Sequence, residues 1–329
     1  LIFSRIFALI RLPIGFLIIE IKILQVSTEM HGQEKKIIKP LPIKPGDTIG
    51  IVAPAGPFDP EKFMKGKTVL ETMGFRIFYD ESIFDQHGFL AGTDAQRADQ
   101  VNRLFADSSV HAIICARGGY GSMRILPLLD FRTIQTHPKI FLGFSDISAL
   151  LAVLSERCGL VTFHGPMVTT LANATEKTIM AMKTALTSGA PLELIPEDGK
   201  VIKPGVCSGI LAGGNLTTLC HLVGTPYAPN FKGKILLLED VGEMTYRIDR
   251  MLTQMKSAGC FNGVAGLMLG AFKKCGQPNE IVKIFDNLFH DVDIPILAGF
   301  DIGHGEHNLT VPIGLSATLD TEKKRLYVT

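Results

Sequence analysis

From Ile37 onward, short and almost unbroken apolar runs alternate with longer stretches whose apolar residues recur at helical spacing. Thr48-Ile-Gly-Ile-Val-Ala-Pro predicts a strand opening into the loop Ala55-Gly-Pro-Phe, and Pro60 to Met73 a helix with proline in its first turn. Phe75-Arg-Ile-Phe-Tyr and Ala112-Ile-Ile-Cys-Ala predict two further strands. Between them lies a helix from Asp94 to Phe105, with Asp94 as its cap. Lys139 to Leu154 combines a fourth strand, a sharp turn carrying Ser145 and an apolar helix. Strands this uniformly apolar are covered on both faces, which implies an α/β fold with a parallel sheet between helical layers.

The pattern weakens between Asn173 and Pro204, where Thr187-Ser-Gly-Ala-Pro and Glu197-Asp-Gly-Lys read as linker and turn. Strands resume at Lys234-Ile-Leu-Leu-Leu-Glu-Asp, Ala265-Gly-Leu-Met-Leu-Gly and Pro295-Ile-Leu-Ala-Gly-Phe, with helices at Tyr246–Ala258 and Glu280–Asp291. The last strand runs into Asp301-Ile-Gly-His-Gly-Glu-His-Asn, and Gly314 to Val328 reads as a hairpin turning at Thr321-Glu-Lys-Lys. The expected organisation is an N-terminal domain over residues 37–172, a linker over 173–204 and a C-terminal domain over 205–329. Residues 1–36 form an apolar leader interrupted by Arg5, Arg11, Glu20 and Lys22, whose longest uncharged run, Leu12 to Ile19, is too short to span a bilayer. Met30 is the expected natural start, with the upstream residues not native.

Composition narrows the function classes. The 329 residues have room for about two domains. A hydrophobic content of 46% with 20% charged residues excludes a disordered chain. A net charge of +1 gives no pull toward nucleic acid or anionic membrane, so neither partner is expected. The six cysteines form no CxxC pair, which argues against a zinc ribbon and for reduced thiols in a cytoplasmic protein.

In parallel sheets ligands gather beyond the carboxyl ends of the strands. Ala53-Pro-Ala-Gly, Arg117-Gly-Gly-Tyr-Gly and Gly143-Phe-Ser-Asp all fall at such ends. Ser145, at a strand-to-helix corner, reads either as an exposed nucleophile backed by free helix N–H groups or as a capping serine. A serine nucleophile needs a base, usually histidine, steadied by a carboxylate. Of nine histidines, His304 lies in a Gly-rich loop after an apolar strand, His307 shares that loop, and His164 lies near another strand end. Glu239 directly follows four apolar residues and must find a partner, either an imidazole or Arg247 or Arg250; Asp240 and Glu243 compete for the same role. The N–H of Asp146 and the Gly118-Gly119 turn are candidate oxyanion donors, and Arg117 is a candidate clamp for a substrate carboxylate. Asp301, His304 and His307 also invite a metal reading. Their pair spacing is one residue shorter than that of the helical metalloprotease motif, and the loop is Gly-rich, so no metal is expected. Cys115 sits within an apolar strand and reads as packing. The glycine clusters lack dinucleotide spacing, so no cofactor is expected.

At these residues the chain resembles the LD-carboxypeptidases, the muramoyltetrapeptide carboxypeptidase family of serine peptidases. Matching motifs are Gly46-Asp-Thr-Ile-Gly-Ile-Val-Ala-Pro-Ala-Gly, Arg117-Gly-Gly-Tyr-Gly, Gly143-Phe-Ser-Asp, Phe163-His-Gly-Pro, Gly213-Gly-Asn-Leu, Leu238-Glu-Asp-Val-Gly-Glu, Tyr246-Arg-Ile-Asp-Arg-Met-Leu and Phe300-Asp-Ile-Gly-His. The resemblance covers about Ile37 to the end. It implies Ser145 as nucleophile, Glu239 as orienting acid and His304 as base. The oxyanion hole it implies is the N–H of Asp146 with that of Gly119, Gly121 being the alternative. It also implies an N-terminal doubly wound, mostly parallel sheet domain, a C-terminal swivelling α/β domain, a triad spanning their interface, and a homodimer. The implied substrate is a murein tetrapeptide, cut at the L,D bond that releases terminal D-alanine in cell-wall recycling, with no metal or cofactor. The alternatives are an immunity-type serine peptidase cleaving a peptidyl-nucleotide antibiotic and a non-catalytic ligand-binding protein on the same scaffold. Two features depart from the pattern: Ile147 stands where a nucleophile elbow keeps a small residue, and the apolar leader has no counterpart.

Overall fold

The computed structural model describes residues 36–329, so the leader and the expected start at Met30 lie outside the described residues. β1 (Thr48–Val52), β2 (Arg76–Phe78), β3 (Ala112–Cys115), β4 (Ile140–Gly143) and β5 (Thr162–His164) pair in the order β5-β4-β3-β1-β2, all parallel. Every residue of β3, β4 and β5 is buried. Alternate side chains of a strand point to opposite faces, and two cores result. Ile113 and Cys115 pack with Val101 and Phe105 of the helix Asp94–Ala106 and Leu150 and Leu154 of the helix Ser148–Cys158. Ala112 and Ile114 pack with Phe63 and Leu70 of the helix Pro60–Thr72 and Met182 and Leu186 of the helix Glu176–Thr187. The sheet is therefore doubly wound, and its order reverses between β1 and β3, where such sheets bind ligands.

The second sheet contains β6 (Leu192–Leu194), β7 (Lys200–Lys203), β8 (Val206–Asn215), β9 (Lys234–Val241), β10 (Gly266–Lys273) and β11 (Ile296–Gly303). β12 (Val311–Ile313) instead returns to the first sheet and pairs antiparallel with β5. β13 (Ser316–Asp320) and β14 (Arg325–Val328) form the expected terminal hairpin, giving the order β6-β14-β13-β8-β9-β10-β11-β7. Within it β8, β9, β10 and β11 run parallel.

Three expectations need correction. The stretch 173–204 is not an open linker: its helix seals one face of the first sheet, while β6 and β7 form the two edges of the second. The expected domain boundary at 205 is also crossed, because β12 supplies an edge to the N-terminal sheet. Finally, Thr93 rather than Asp94 caps its helix, through a reciprocal capping box with Gln96. Asp94 is free to bind Arg97 and Arg124 instead.

Packing between the helices Pro60–Thr72 and Val168–Leu171 leaves no room for a side chain at Gly66, where an added Cβ would stand 1.8 Å from the Val168 carbonyl oxygen. Gly66→Ala is expected to destabilise the protein by about 3 kcal/mol, since backbone on both sides must part. Urea unfolding checks this as a lowered midpoint with an unchanged slope.

Candidate active site

Ser145 follows β4 through Phe144 and opens a single 3-10 turn, Ser145–Ile147, that leads into the helix Ser148–Cys158. Its φ is 64°, a left-handed conformation that serine rarely adopts and that functional turns store as strain. Gly143 makes the corner possible. A Cβ there would stand 2.7 Å from Ile147 Cγ2, so Ile147 fills the space that the glycine leaves. The sharp turn thus forms despite the bulky residue two positions after the serine. Ser145 is partly exposed, and its Oγ has no hydrogen-bond partner in the protein among the described residues.

The two backbone N–H groups expected as oxyanion donors lie near this turn. The Asp146 N–H belongs to the first turn of the 3-10 helix, where N–H groups lack intrahelical acceptors. The Gly118 carbonyl accepts from Gly56 N–H at 3.0 Å, so across a trans peptide the Gly119 N–H points away from Gly56. Gly118 packs directly on the serine: a Cβ added there would lie 3.3 Å from Ser145 Oγ and 3.4 Å from the Asp146 nitrogen. The Asp146 side chain fixes this arrangement by accepting from Ser122 N–H at 2.8 Å. Burial pushes the Asp146 carboxyl up, against the downward pull of its bonds to Ser122.

Glu239 and His304 come from the second sheet. Glu239 lies inside β9 rather than at its end, and it crosses over β10 to reach His304, the residue after β11. Two glycines open that path. A Cβ at Gly270 would stand 3.1 Å from Glu239 Cβ, and one at Gly303 would stand 2.2 Å from Glu239 Oε2. His304 Nδ1 meets Oε2 at 2.7 Å and the His304 backbone N–H donates to the same oxygen at 3.1 Å. Arg247 is instead paired with Glu243. Glu239 is fully buried, which alone would raise its pKa, but the neighbouring His164 and His304 imidazoles outweigh burial and hold it at about 2. Asp240 does not compete for His304: its oxygens accept from Asn215, Thr217 and Val241.

The two halves meet at Phe144, whose ring centroid lies 4.7 Å from that of His304. Ser148 Oγ also accepts from Asn215 N–H at 3.0 Å, tying the helix behind the serine to the end of β8. No hydrogen bond joins Ser145 to His304 among the described residues, so the nucleophile and its expected base are neighbours through Phe144 rather than bonded partners. The metal reading fails on geometry: His304 turns to Glu239, His307 Nδ1 to Thr175 Oγ1 at 2.8 Å, and Asp301 to Lys177 at 2.7 Å.

Residues 49–165 match the LD-carboxypeptidase N-terminal domain and residues 208–319 match the LD-carboxypeptidase C-terminal domain. The chain belongs to the LD-carboxypeptidase family. It is 37% identical over 309 residues to the probable murein peptide carboxypeptidase of Bacillus subtilis, covering 90% of this chain and 95% of that protein. Among solved structures it is similar to the MccF-like protein of Bacillus anthracis, with a TM-score of 0.84 and 29% identity over 88% of this chain and 99% of that one. It is also similar to the muramoyltetrapeptide carboxypeptidase of Oxalobacter formigenes, with a TM-score of 0.76 and 29% identity over 85% and 97% of the two chains.

In this LD-carboxypeptidase, cavities flank the Gly119-Tyr120 loop. One of about 200 Å³ holds Ser145 and Asp146 beside Asn215, Thr217, His221 and Glu243. A larger one, about 640 Å³, lies at the β1/β3 switch point between Pro57, Gln86, Phe89, Arg117 and Tyr120. Gly119 and Tyr120 line both. His304 opens on a third space of about 490 Å³ with Lys273 and Asn173. Arg117 is exposed and bonds the Pro57 carbonyl, so it braces the loop after β1 while lining the large cavity. Sequence reasoning missed Arg97, which is fully buried and joins the Pro54 and Gly121 carbonyls, holding the two Gly-rich loops of the rim together. A charged residue on the buried face of a helix was the available signal. Cys115 is packed in β3, and burial pushes its thiol up, away from nucleophilic use.

Proposed function

We propose that the chain is a serine LD-carboxypeptidase that releases terminal D-alanine from murein tetrapeptide in cell-wall recycling. The reading is carried chiefly by the pairing of the buried Glu239 with His304, whose imidazole packs on the residue before a strained, partly exposed serine. Ser145 attacks the carbonyl as His304 takes its proton, with the imidazolium held by Glu239. The N–H groups of Asp146 and Gly119 receive the oxyanion. His304 then protonates the leaving D-alanine amine, and water hydrolyses the acyl-enzyme by the same route. Catalytic hydrogen bonds commonly tighten only in the substrate complex, and Ser145 Oγ and His304 Nε2 are taken to meet there. Arg117 is the proposed partner for a substrate carboxylate.

A second reading, cleavage of a peptidyl-nucleotide, is favoured by the likeness to the MccF-like protein and by one feature of the surface. The chain has no tryptophan, yet Phe89 and Tyr120 stand 65% and 50% exposed beside the large cavity, with ring centroids 5.7 Å apart. Such a pair can stack on a base. The readings separate in one comparison of kcat/KM for D-alanine release from tetrapeptide against hydrolysis of an aminoacyl-sulfamoyl or peptidyl adenylate. A higher value for the tetrapeptide is expected; a higher value for the nucleotide substrate overturns the first reading. We further place the enzyme in the cytoplasm as a homodimer, on its scattered free cysteines and the family resemblance. Light scattering of the purified protein tests the dimer, and a monomer mass refutes it. Among the described residues no helix is long and apolar enough to cross a membrane.

A further inference from the structure

We propose that His164 is a positioning residue of the catalytic acid, holding the second carboxylate oxygen of Glu239 through its Nε2–H so that the carboxylate stands between two imidazoles. The inference rests on the functional reading above. His164 is the last residue of β5 in the first sheet and Glu239 belongs to β9 of the second, so the contact bridges the two sheets. Both side chains are fully buried. Glu239 Oε2 is occupied by the ring and backbone N–H groups of His304, whereas Oε1 has no hydrogen-bond partner. Neither ring nitrogen of His164 has one, and its Nε2 lies 3.9 Å from Oε1.

That separation exceeds a hydrogen bond of about 2.7–3.2 Å, yet it is too short for a water to bridge. A buried carboxylate oxygen without a donor is costly, and so is a buried imidazole without a partner. Closing the gap by about 1 Å satisfies both. Phe144 stands against the two imidazoles, with its ring centroid 5.9 Å from His164 and 4.7 Å from His304. The chemistry gives the contact a purpose. When His304 takes the serine proton, the new imidazolium depends on a Glu239 that is ionised and cannot rotate. A donor on Oε1 fixes the carboxylate plane and leaves Oε2 aimed at His304 Nδ1. His164 itself has no bond to Ser145.

The test measures D-alanine release from murein tetrapeptide by the full chain. His164→Gln keeps an N–H donor near the Nε2 position, His164→Asn moves it to the Nδ1 position, and His164→Phe removes it at similar volume. His164→Phe and His164→Asn are expected to lower kcat roughly 10- to 100-fold, and His164→Gln less than about fivefold, with KM within about threefold throughout. Nitrogen-15 NMR of the wild-type enzyme is expected to report His164 as the Nε2–H tautomer. Unchanged kcat in all three variants, equal losses in His164→Gln and His164→Asn, or an Nδ1–H tautomer overturns the proposal. If His164→Phe does not fold, the Gln and Asn variants still decide. A wild-type enzyme inactive on the tetrapeptide defeats the functional reading instead, and the tautomer then judges His164 alone.

Discussion

Ser145→Ala is expected to lower kcat for D-alanine release by roughly five to six orders of magnitude, while the protein folds normally. The loss is so large because no other side chain of the turn can form the acyl-enzyme. Asp146 is committed to Ser122, and the Ser148 hydroxyl is buried and bonded to Asn215. Stability should barely change, because Ser145 Oγ makes no hydrogen bond to lose. The φ of 64° remains strained in alanine, so the substitution relieves nothing. Three measurements check this together: D-alanine release, thermal unfolding within about 2 °C of wild type, and loss of labelling by a fluorophosphonate. Residual activity above about a hundredth of wild type would remove Ser145 from the nucleophile role.

The same turn illustrates what the sequence made legible. An apolar run followed by Gly-Phe-Ser-Asp and an apolar helix dictates a buried strand and a corner, and both formed. Glu239 announced itself in the same way, since a carboxylate after four apolar residues needs a partner. The partner was harder to read, because Glu239 reaches it across β10 through the space at Gly270 and Gly303. Glycines read from sequence as turn signals; here they clear a channel for a side chain. His164 stayed ambiguous for a related reason, as its neighbour comes from the other sheet. β8 was missed because Gly209, Gly213 and Gly214 dilute its apolar pattern. Added Cβ atoms at Gly209 and Gly213 would run into β9 backbone or its approach, 2.4 Å from the Gly233 oxygen and 2.1 Å from the Leu237 oxygen. The stretch 173–204 misled through its edge strands. Edge strands are short, polar and Pro-flanked because one side faces water, which also makes them look like linker. β12 is buried, yet as an edge strand of the first sheet with one ladder neighbour it can carry Pro312.

Glu239→Gln carries the second large effect, a fall in kcat of about 10⁴-fold with little change in KM. Besides the His304 backbone N–H, Oε2 of the carboxylate accepts the Nδ1–H of His304 at 2.7 Å. In the proposed mechanism that bond sets the tautomer and leaves Nε2 unprotonated to take the serine proton. An amide can present N–H to Nδ1 instead, moving the ring proton to Nε2 and disabling the base. Even with its carbonyl toward His304, the glutamine supplies no charge to stabilise the imidazolium. Backbone geometry should survive, since Gln fills the same channel past Gly270 and Gly303. The pH dependence of stability gives an independent reading. Glu239 is held at about 2, below its ordinary 4.5, so its contribution is complete above about pH 4.5 and is lost as pH falls through 2. The stability difference between wild type and Glu239→Gln should therefore shrink steadily over that interval, as followed by denaturant unfolding at each pH. A difference that stays constant from pH 5 to pH 2 would mean that folding does not lower the pKa of this carboxyl, one that grows in favour of wild type as pH falls would mean that the carboxyl is not ionised in the folded protein, and a Glu239→Gln enzyme within tenfold of wild type would mean that it does not orient His304.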